Sequence, residues 1–597
     1  MPSLYEPPTE DETLLGVATD PDFYDLGHEI SLIGHGRGRE DARFGWDLGC
    51  LLMDIGGRVY GSRSKCCRVH RKNPDLYNRL RHAVTRMTGA DLLPDRPPSE
   101  DQVRQWRQQW VPSTHFRDHG PDPHPNLGTV QHRARQLAFA RARLLGNLPD
   151  NNPRDFANPD PRNIVSADGT WLSPFSSART WTDERSGTTY VFNTKAKTAE
   201  TARIPDVVRK ITKHGNSYMG ICHVTLLTRT PYGRVILGVD RALGWETLGT
   251  LGLLEDFIGI AGETVHMLCH DMGFRDWPID WLMAEHGVPV ISTAIPEHEI
   301  PAEETEARLD IRKVLRESGL PGLKNVGRDS DPVSALVQER LNARGDLEAF
   351  AAATRQGVPT GLGLPLGTSQ YLSSRGNLTR VDSAAHEYGE VSHPGPDGEP
   401  CGHLLYVDDG ALWEVRVSGG AHIKAQRAIS ERSTRTKHPD TGDWAMVTTH
   451  RLLCEDARQP FEFDTIWEPV PHRGKRTEHT KKPRTSLEKA LHAMQPLARC
   501  DRGFGDIYGL RNDTESWFSW LKARMRRGET AASLHADHQL LDVLYAGLIT
   551  NALALRQYRL SNPEASQDSR LAPTAPGAGP ATAPGTIRAA IVELFAR

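Results

Sequence analysis

Apolar and polar positions recur with different periods along this chain. In residues 1–150 loops alternate with helical patterns, clearest over 101–110 and 131–145. The second carries a stripe of Ala134, Leu137, Ala138 and Leu145 flanked by Arg133, Arg135, Arg141 and Arg143. Such a helix either lies on DNA or is an ordinary exposed helix; no helix-turn-helix pattern accompanies it. From about residue 160 short apolar runs take over. Strands are expected over 163–168, ending at Asp168, then over 218–228 and 234–239 as a hairpin through Pro231-Tyr232-Gly233. A helix over 245–260, a strand over 264–270 ending at Asp271, a short helix over 281–286 and a strand over 288–293 follow. The order is three antiparallel strands, then helix, strand, helix, strand.

Residues 297–495 interrupt this order. Helices are expected over 303–316 and 333–354, and strands over 404–417, 444–453 and 461–467. The run 540–555 is apolar nearly all round and predicts a helix packed against a sheet. Pro, Ala, Gly and Ser fill 561–586, a flexible linker before a short helix over 586–596.

At 597 residues the chain has room for more than one domain and ample core. No run of 18 apolar residues exists, so no spanning helix is expected. The N-terminus is acidic and lacks the pattern of a secretory signal. Eight cysteines (50, 66, 67, 222, 269, 401, 454 and 500) are scattered without a disulfide framework, so a cytoplasmic location is the default. The net charge of −4 is a weak argument against nucleic acid, but local charge matters more. Arg473, Lys475, Arg476, Lys481, Lys482, Arg484 and Lys489 form one basic cluster, and Lys522–Arg527 another. The first is equally readable as a solvated loop. There is no phosphate-binding glycine loop of the nucleotide-hydrolase type and no Gly-x-Ser-x-Gly elbow, which argues against ATP dependence and triad chemistry.

Near the C-terminus the spacing Tyr508-x2-Arg511-x3-Glu515-x6-Lys522 carries the most chemistry. On one helix these offsets fall within roughly a 60° arc. A carboxylate set among cations can hold a divalent metal beside a phosphate that the cations grip. The plain alternative is a surface helix with an Arg511/Glu515 ion pair at i,i+4. All four positions match the Tyr-Arg-Glu-Lys signature, and the segment resembles that of the bacterial insertion-sequence transposases of the Asp-Asp-Glu type. Asp168-Gly169-Thr170 resembles the family's first-carboxylate motif, although Asp-Gly is also a common hairpin turn. Asp240 is the rival for that position. Cys269-His270-Asp271-Met-Gly273-Phe274 resembles the second-carboxylate segment, with Phe274 in place of the usual Tyr. The resemblance covers about 160–300 and 496–560.

The resemblance and the order of elements together imply a ribonuclease H-like α/β core, a mixed sheet with flanking helices interrupted by a large β-rich insertion. The expected organisation is an N-terminal mostly helical region (1–155) with possible DNA-end recognition and a first core part (156–300). An insertion (301–495), the C-terminal core helices (496–560) and a tail (561–597) follow. Asp168, Asp271 and Glu515 would converge as catalytic and metal-ligating carboxylates. Three such groups repel unless cations sit among them, and Mg2+ suits them, with Mn2+ able to substitute. Tyr508, Arg511 and Lys522 would grip DNA phosphates. The implied partners are double-stranded DNA, as transposon ends and target, in the cytoplasmic nucleoid, with a dimer on DNA and no membrane. A two-metal nuclease or resolvase without strand transfer, or an inactive DNA-binding relative, fits the same residues.

Weaker constellations remain. Cys66-Cys67-x-x-His70 lacks a second ligand pair for zinc. His386, His393, Cys401 and His403 form a denser, irregularly spaced cluster that reads as a polar loop, with zinc as the alternative. Trp413, Trp444 and Trp467 read as core residues of predicted strands, with a platform for a flipped base as the alternative.

Overall fold

The computed structural model describes residues 8–34, 40–112, 123–172, 178–182, 189–193, 208–211, 217–242, 246–271, 274, 277–292, 385–408, 410–418, 421–454, 456–469, 485–498, 500–501, 503–524, 533, 536–562 and 564. The expected helices over 303–316, 333–354 and 586–596 and most of the basic cluster before Lys489 lie outside them. The protein is mixed α/β. It has N-terminal helices, strands in antiparallel and parallel pairing with flanking helices, two further antiparallel sheets and a long C-terminal helix. Two compact units divide the chain: Met1–Asn152, Arg162–Val265 and Leu510–Arg597 form the first, and Pro153–Pro161 with His266–Gly509 the second. No helix among the described residues is long and apolar enough to cross a membrane.

The first unit opens with helices α1 (Glu10–Ala18), α2 (Pro21–Gly34), α3 (Glu40–Val59), α4 (Arg63–Lys72), α5 (Pro74–Thr88), α6 (Glu100–Trp110) and α7 (Pro125–Leu144). Local chemistry sets their starts: capping boxes Thr9/Glu12 and Ser99/Gln102 open α1 and α6, and Pro74 and Pro125 stand at the first turns of α5 and α7. Strands β1 (Ile164–Leu172), β2 (Ala178–Thr182), β3 (Thr189–Asn193), β4 (Val208–Ile211), β5 (Ser217–Thr230) and β6 (Gly233–Ala242) follow, then α8 (Glu246–Ala261). β5 pairs antiparallel with β6 along one edge and with β1 and β4 along the other; β2 and β3 form a separate ribbon. β1 runs straight through Asp168-Gly169-Thr170, so this segment neither ends the strand nor forms a hairpin.

Register assigns each face of this sheet. Asp168 stands opposite Thr225, which stands opposite Val239; Gly169, Val224 and Asp240 form the next row and point the other way. The face of Gly169 and Asp240 packs on α8, whose Leu253 approaches Gly238 and whose Gly249 lets it settle on Ala242. Leu227, Ile236 and Val239, on the opposite face, join one apolar core with the N-terminal helices and the C-terminal helix α13 (Ala536–Ser561). α13 presses Gly547 against Ile236. On the outer edge of β6, Asn551 of α13 accepts from the Ile236 amide (2.7 Å) and donates to its carbonyl (3.0 Å), and Gln131 of α7 donates to the Val239 carbonyl (2.9 Å). Side-chain amides thus satisfy backbone groups that a neighbouring strand would otherwise take.

Buried ion pairs hold these helices together. Arg107 of α6 donates to Asp542 Oδ1 (2.8 Å) and the His538 carbonyl (2.7 Å) of α13. It lies 3.6 Å from Asp54 of α3, which also accepts from Arg63 Nε (2.6 Å). Burial by itself would push the Asp542 carboxyl up; Arg107 and Arg58, with a hydrogen bond from Ser533, outweigh it and hold the group well below the usual carboxylate range. The four arginines of α7 are likewise spoken for: Arg133 by Asp25, Arg135 by Asp240 and Asp256, Arg141 by Asp20 and Asp22, Arg143 by Asp150. Arg135 and Arg141 are buried, so α7 is neither a basic stripe nor an ordinary exposed helix.

In the second unit a short parallel pair, β7 (Met267–Cys269) and β8 (Val290–Ile291), is bridged by α9 (Trp277–His286). One antiparallel sheet comprises β9 (His386–Pro394), β10 (Pro400–Asp408), β11 (Ala411–Ser418) and β12 (Ala421–Arg427). A second comprises β13 (Ile429–Lys437), β14 (Trp444–Cys454) and β15 (Gln459–Trp467). The single strand expected over 404–417 is two, because Gly410, with φ of 79°, turns the chain between them. His386, His393, Cys401 and His403 lie on β9 and β10 and not in a loop. Helices α10 (Ser486–Ala493) and α11 (Phe504–Tyr508) complete this unit, and α12 (Arg511–Ala523) belongs to the first. Leu405, Val407, Leu412, Ala428, Leu452, Ala490 and Met494 form the thin apolar core linking the two sheets and α10. Trp413 and Trp467 are buried, and Trp444 is covered by the Arg435 guanidinium 3.8 Å from its ring centre.

Two outcomes follow for stability. Asp542→Asn leaves buried Arg58 without its carboxylate and Arg107 with Asp54 alone, and is expected to cost about 3 kcal/mol in urea unfolding. That carboxylate's contribution is full above its ordinary titration range and is lost as the pH falls below it. Burial also pushes His223, His266, His286 and His450 down from 6.5 to about 4. Their unfolded imidazoles take up protons first, so melting temperature is expected to drop as the pH falls from 6.5 to 4. For fully buried His223 the effect is roughly 3 kcal/mol, and His223→Gln should flatten the slope in that window.

Candidate active site

The site begins at β1. Asp168, 11% exposed at the side chain, lies 3.9 Å from the Arg511 guanidinium, and the same Arg511 nitrogen pairs with Glu515 at 2.8 Å. Two of the three expected carboxylates, from opposite ends of the sequence, therefore meet one cation. Arg511, Glu515 and Lys522 share a face of α12, since their offsets of 0, 4 and 11 residues span roughly 40°. Lys522 is half-buried and Glu515 exposed.

The adjoining buried face of α12 explains why this one is presented. Asp513, Thr514, Trp517, Phe518 and Leu521 are buried. Asp513 accepts from Arg229 of β5 and Arg234 of β6, each at 3.0 Å, and Arg234 also donates to Ser516 (2.7 Å). Trp517 Nε1 donates to Thr550 of α13 at 2.9 Å. The helix is thus pinned to the β5–β6 hairpin and to α13, and Arg511 and Glu515 turn toward β1.

A further carboxylate stands here that sequence reading did not single out. Glu246, in the first turn of α8, accepts from the Gly169 amide at 2.9 Å. A Cβ at residue 169 would lie 2.5 Å from the Glu246 side chain, so glycine permits the contact. The only sequence signal was the Asp-Gly pair itself. Asp168 and Glu246 both accept from the Gly169 amide, at 2.8 and 2.9 Å, and carboxylate oxygens are donors of the kind that hold magnesium or manganese. Asp240, the rival first carboxylate, faces the other side of the sheet and lies 3.5 Å from Arg135.

Asp271 and Tyr508 belong to the second unit. Asp271 follows β7 directly; its carboxylate and amide lie against His270 Nδ1 (3.1 and 2.8 Å), and it is half-exposed. Phe274 is buried against the His270 ring, centroids 4.9 Å apart. Cys269 Sγ approaches the carbonyls of Ile507 and Tyr508 at 3.8 Å, so the end of β7 and the end of α11 are neighbours. Tyr508 stacks on Phe504 at 5.3 Å. It does not share a helix with Arg511: α11 ends at Tyr508 and α12 begins at Arg511, with Gly509 and Leu510 between them. The expectation of one four-residue helical face therefore holds for three residues only. Gly509 and Leu510 keep helical backbone angles, with φ of −58° and −60°, and Gly509, a poor helix former, stands where the helical hydrogen bonding is interrupted.

Cys66 and His70 make no zinc site; the His70 Nδ1 sits 3.0 Å from the Cys66 carbonyl, and burial raises both thiols, Cys67 to about 12. Compared with known families and with curated proteins, the chain matches no family model and no curated sequence.

The clamp on α12 predicts a contrast between two acidic residues on one helix. Asp513→Asn, beneath two partly exposed arginines, should lower the unfolding free energy by about 1–2 kcal/mol. Glu515→Gln, on the open face, should change it by less than about 0.5 kcal/mol. Parallel denaturant titrations check both.

Proposed function

We propose that this protein is a DNA transposase of the Asp-Asp-Glu type that cuts and joins DNA at the ends of a mobile element by in-line phosphoryl transfer. The observation that carries this reading is the meeting of Asp168 and Glu515 at the Arg511 guanidinium. The order of elements supports a ribonuclease H-like core: antiparallel β1, β5 and β6, then α8, then parallel β7 and β8 around α9. This function requires Asp271, carried by the second unit, to join Asp168 and Glu515.

Carboxylate oxygens fit Mg2+, with Mn2+ as a substitute, and Asp168, Asp271 and Glu515 are the residues that would hold it. When bound, it supplies activation of the attacking hydroxyl and neutralisation of the leaving oxygen. The protein's own residues do the rest. Arg511 offers a planar fork that matches a phosphate, and Lys522 adds a point charge further along the same face. Tyr508 adds a phenolic contact to the backbone. Gly169, through its amide, holds the Glu246 carboxylate beside Asp168. The substrates are double-stranded transposon ends and target DNA, and pairing of two ends calls for a dimer on DNA in the cytoplasmic nucleoid.

The Arg511 pairs also favour a second reading, in which the guanidinium takes the place of metal and the protein binds DNA without cutting it. Cleavage and joining assays on the DNA that flanks its gene on either side separate the two. Glu515→Gln is expected to abolish Mg2+-dependent nicking while end affinity stays within a factor of a few. Arg511→Ala should weaken binding and reduce the slope of log K against log salt by about 1. Precut ends should insert into a plasmid; nicking without insertion would indicate a nuclease. Binding with no nicking in either metal, by wild type and variant alike, would leave only the binding module.

A further inference from the structure

The second unit brings together soft metal ligands that its sequence spacing conceals. His393 is the last residue but one of β9, Cys401 and His403 lie two residues apart on β10, and Cys454 ends β14 in the other sheet. His393 and Cys401 are cross-strand partners, so both histidines and Cys401 share a face. Ligand atoms of His393, His403 and Cys454 all lie within 4.8 Å of one another, and Cys401 and Cys454 stand within that distance together with Asp456. Rotamer adjustment closes such a span to the about 3.3–3.8 Å between ligands of a tetrahedral zinc ion.

Three independent features point to a bound cation. The His403 side chain is 5% exposed and its Nε2 has no partner, as is also true of His393 Nε2. A buried imidazole nitrogen without a partner is costly unless something accepts its lone pair. Secondly, His403 Nδ1 lies 2.9 Å from the buried carboxylate of Glu414. A carboxylate only accepts, so the proton sits on Nδ1 and a lone pair is left on Nε2. Glu414 is itself held by Gln426 Nε2 at 2.8 Å. Carboxylate, imidazole and metal in series is a recurring arrangement at zinc centres. Thirdly, Cys454 Sγ serves as an acceptor, taking the Ala457 amide at 3.3 Å.

We propose that His393, His403, Cys401 and Cys454 form a structural zinc site that staples the two antiparallel sheets together. All four positions are filled by protein, so the site is closed and takes no part in phosphoryl transfer. Its ligands exclude magnesium, which prefers oxygen. The thin core between the sheets gives the staple its purpose, since small cores gain stability from metal.

The test uses the full-length chain, purified reduced and without chelator. Elemental analysis should find about one zinc per chain. Cobalt substitution should give the visible bands of a tetrahedral centre with thiolate charge transfer. Stripping zinc should lower the melting temperature, and adding zinc back, but not magnesium, should restore it. Cys454→Ser and His403→Ala should lose the metal. Glu414→Gln should still fold and bind it about 10–100-fold more weakly, separating metal affinity from folding. A stripped wild-type chain that takes up no zinc on titration would overturn the site, as would a Cys401–Cys454 disulfide that persists in protein purified with reductant. Both readouts are independent of DNA cleavage.

Discussion

One buried carboxylate decides whether a site exists at β1 at all. Asp513 sits beneath Arg229 and Arg234 at the tip of the β5–β6 hairpin and fixes the rotation of α12 about its own axis. A turn of the helix by one residue would swing Arg511 and Glu515 through about 100° and away from Asp168. Trp517 and Phe518 add apolar area on the same buried side, but oil-like contacts tolerate rotation better than an ion pair with two defined partners. The candidate chemistry therefore rests on a residue that makes no contact with the candidate substrate.

The same economy of charge runs through the first unit. Arg107 and Asp542 tie α6 to α13, Arg141 ties α7 to the start of α2, and Arg135 ties α7 to β6 and α8. Buried pairs of this kind add little net stability against an apolar packing of the same volume. They specify which helix faces which, because any other docking leaves a charge uncompensated. The N-terminal helices are held by such pairs against the sheet that carries Asp168. The second unit shows a different solution. Its two sheets share few apolar residues, and Cys454 of one sheet lies near His393 and His403 and near Cys401 of the other.

Local patterns were read best where one period dominated. The strands around 218–239 and the helices over 101–110, 245–260 and 540–555 carried clean periodicity and fall within β5, β6, α6, α8 and α13. β7 and β8 shrank to a few residues, since short parallel strands carry few residues to read. Asp168 was legible as a candidate, but its place in mid-strand was not, because Asp-Gly carries a strong turn signal that pairing with β5 overrides. The histidines of β9 and β10 looked like a polar loop because their burial depends on Glu414 and Phe461, which lie on other strands.

The sequence alone determined the helix and strand periods, the Arg511–Glu515–Lys522 face and the strand that bears Asp168, all of them consequences of spacing along one segment. Tertiary structure alone decided that Asp240 turns away from Asp168, that Glu246 reaches Gly169, that the arginines of α7 are buried in ion pairs, and that Cys454 joins two histidines. Each of these depends on which face of a strand meets which helix. That is settled by packing and charge pairing between residues far apart in the chain, where spacing carries no information.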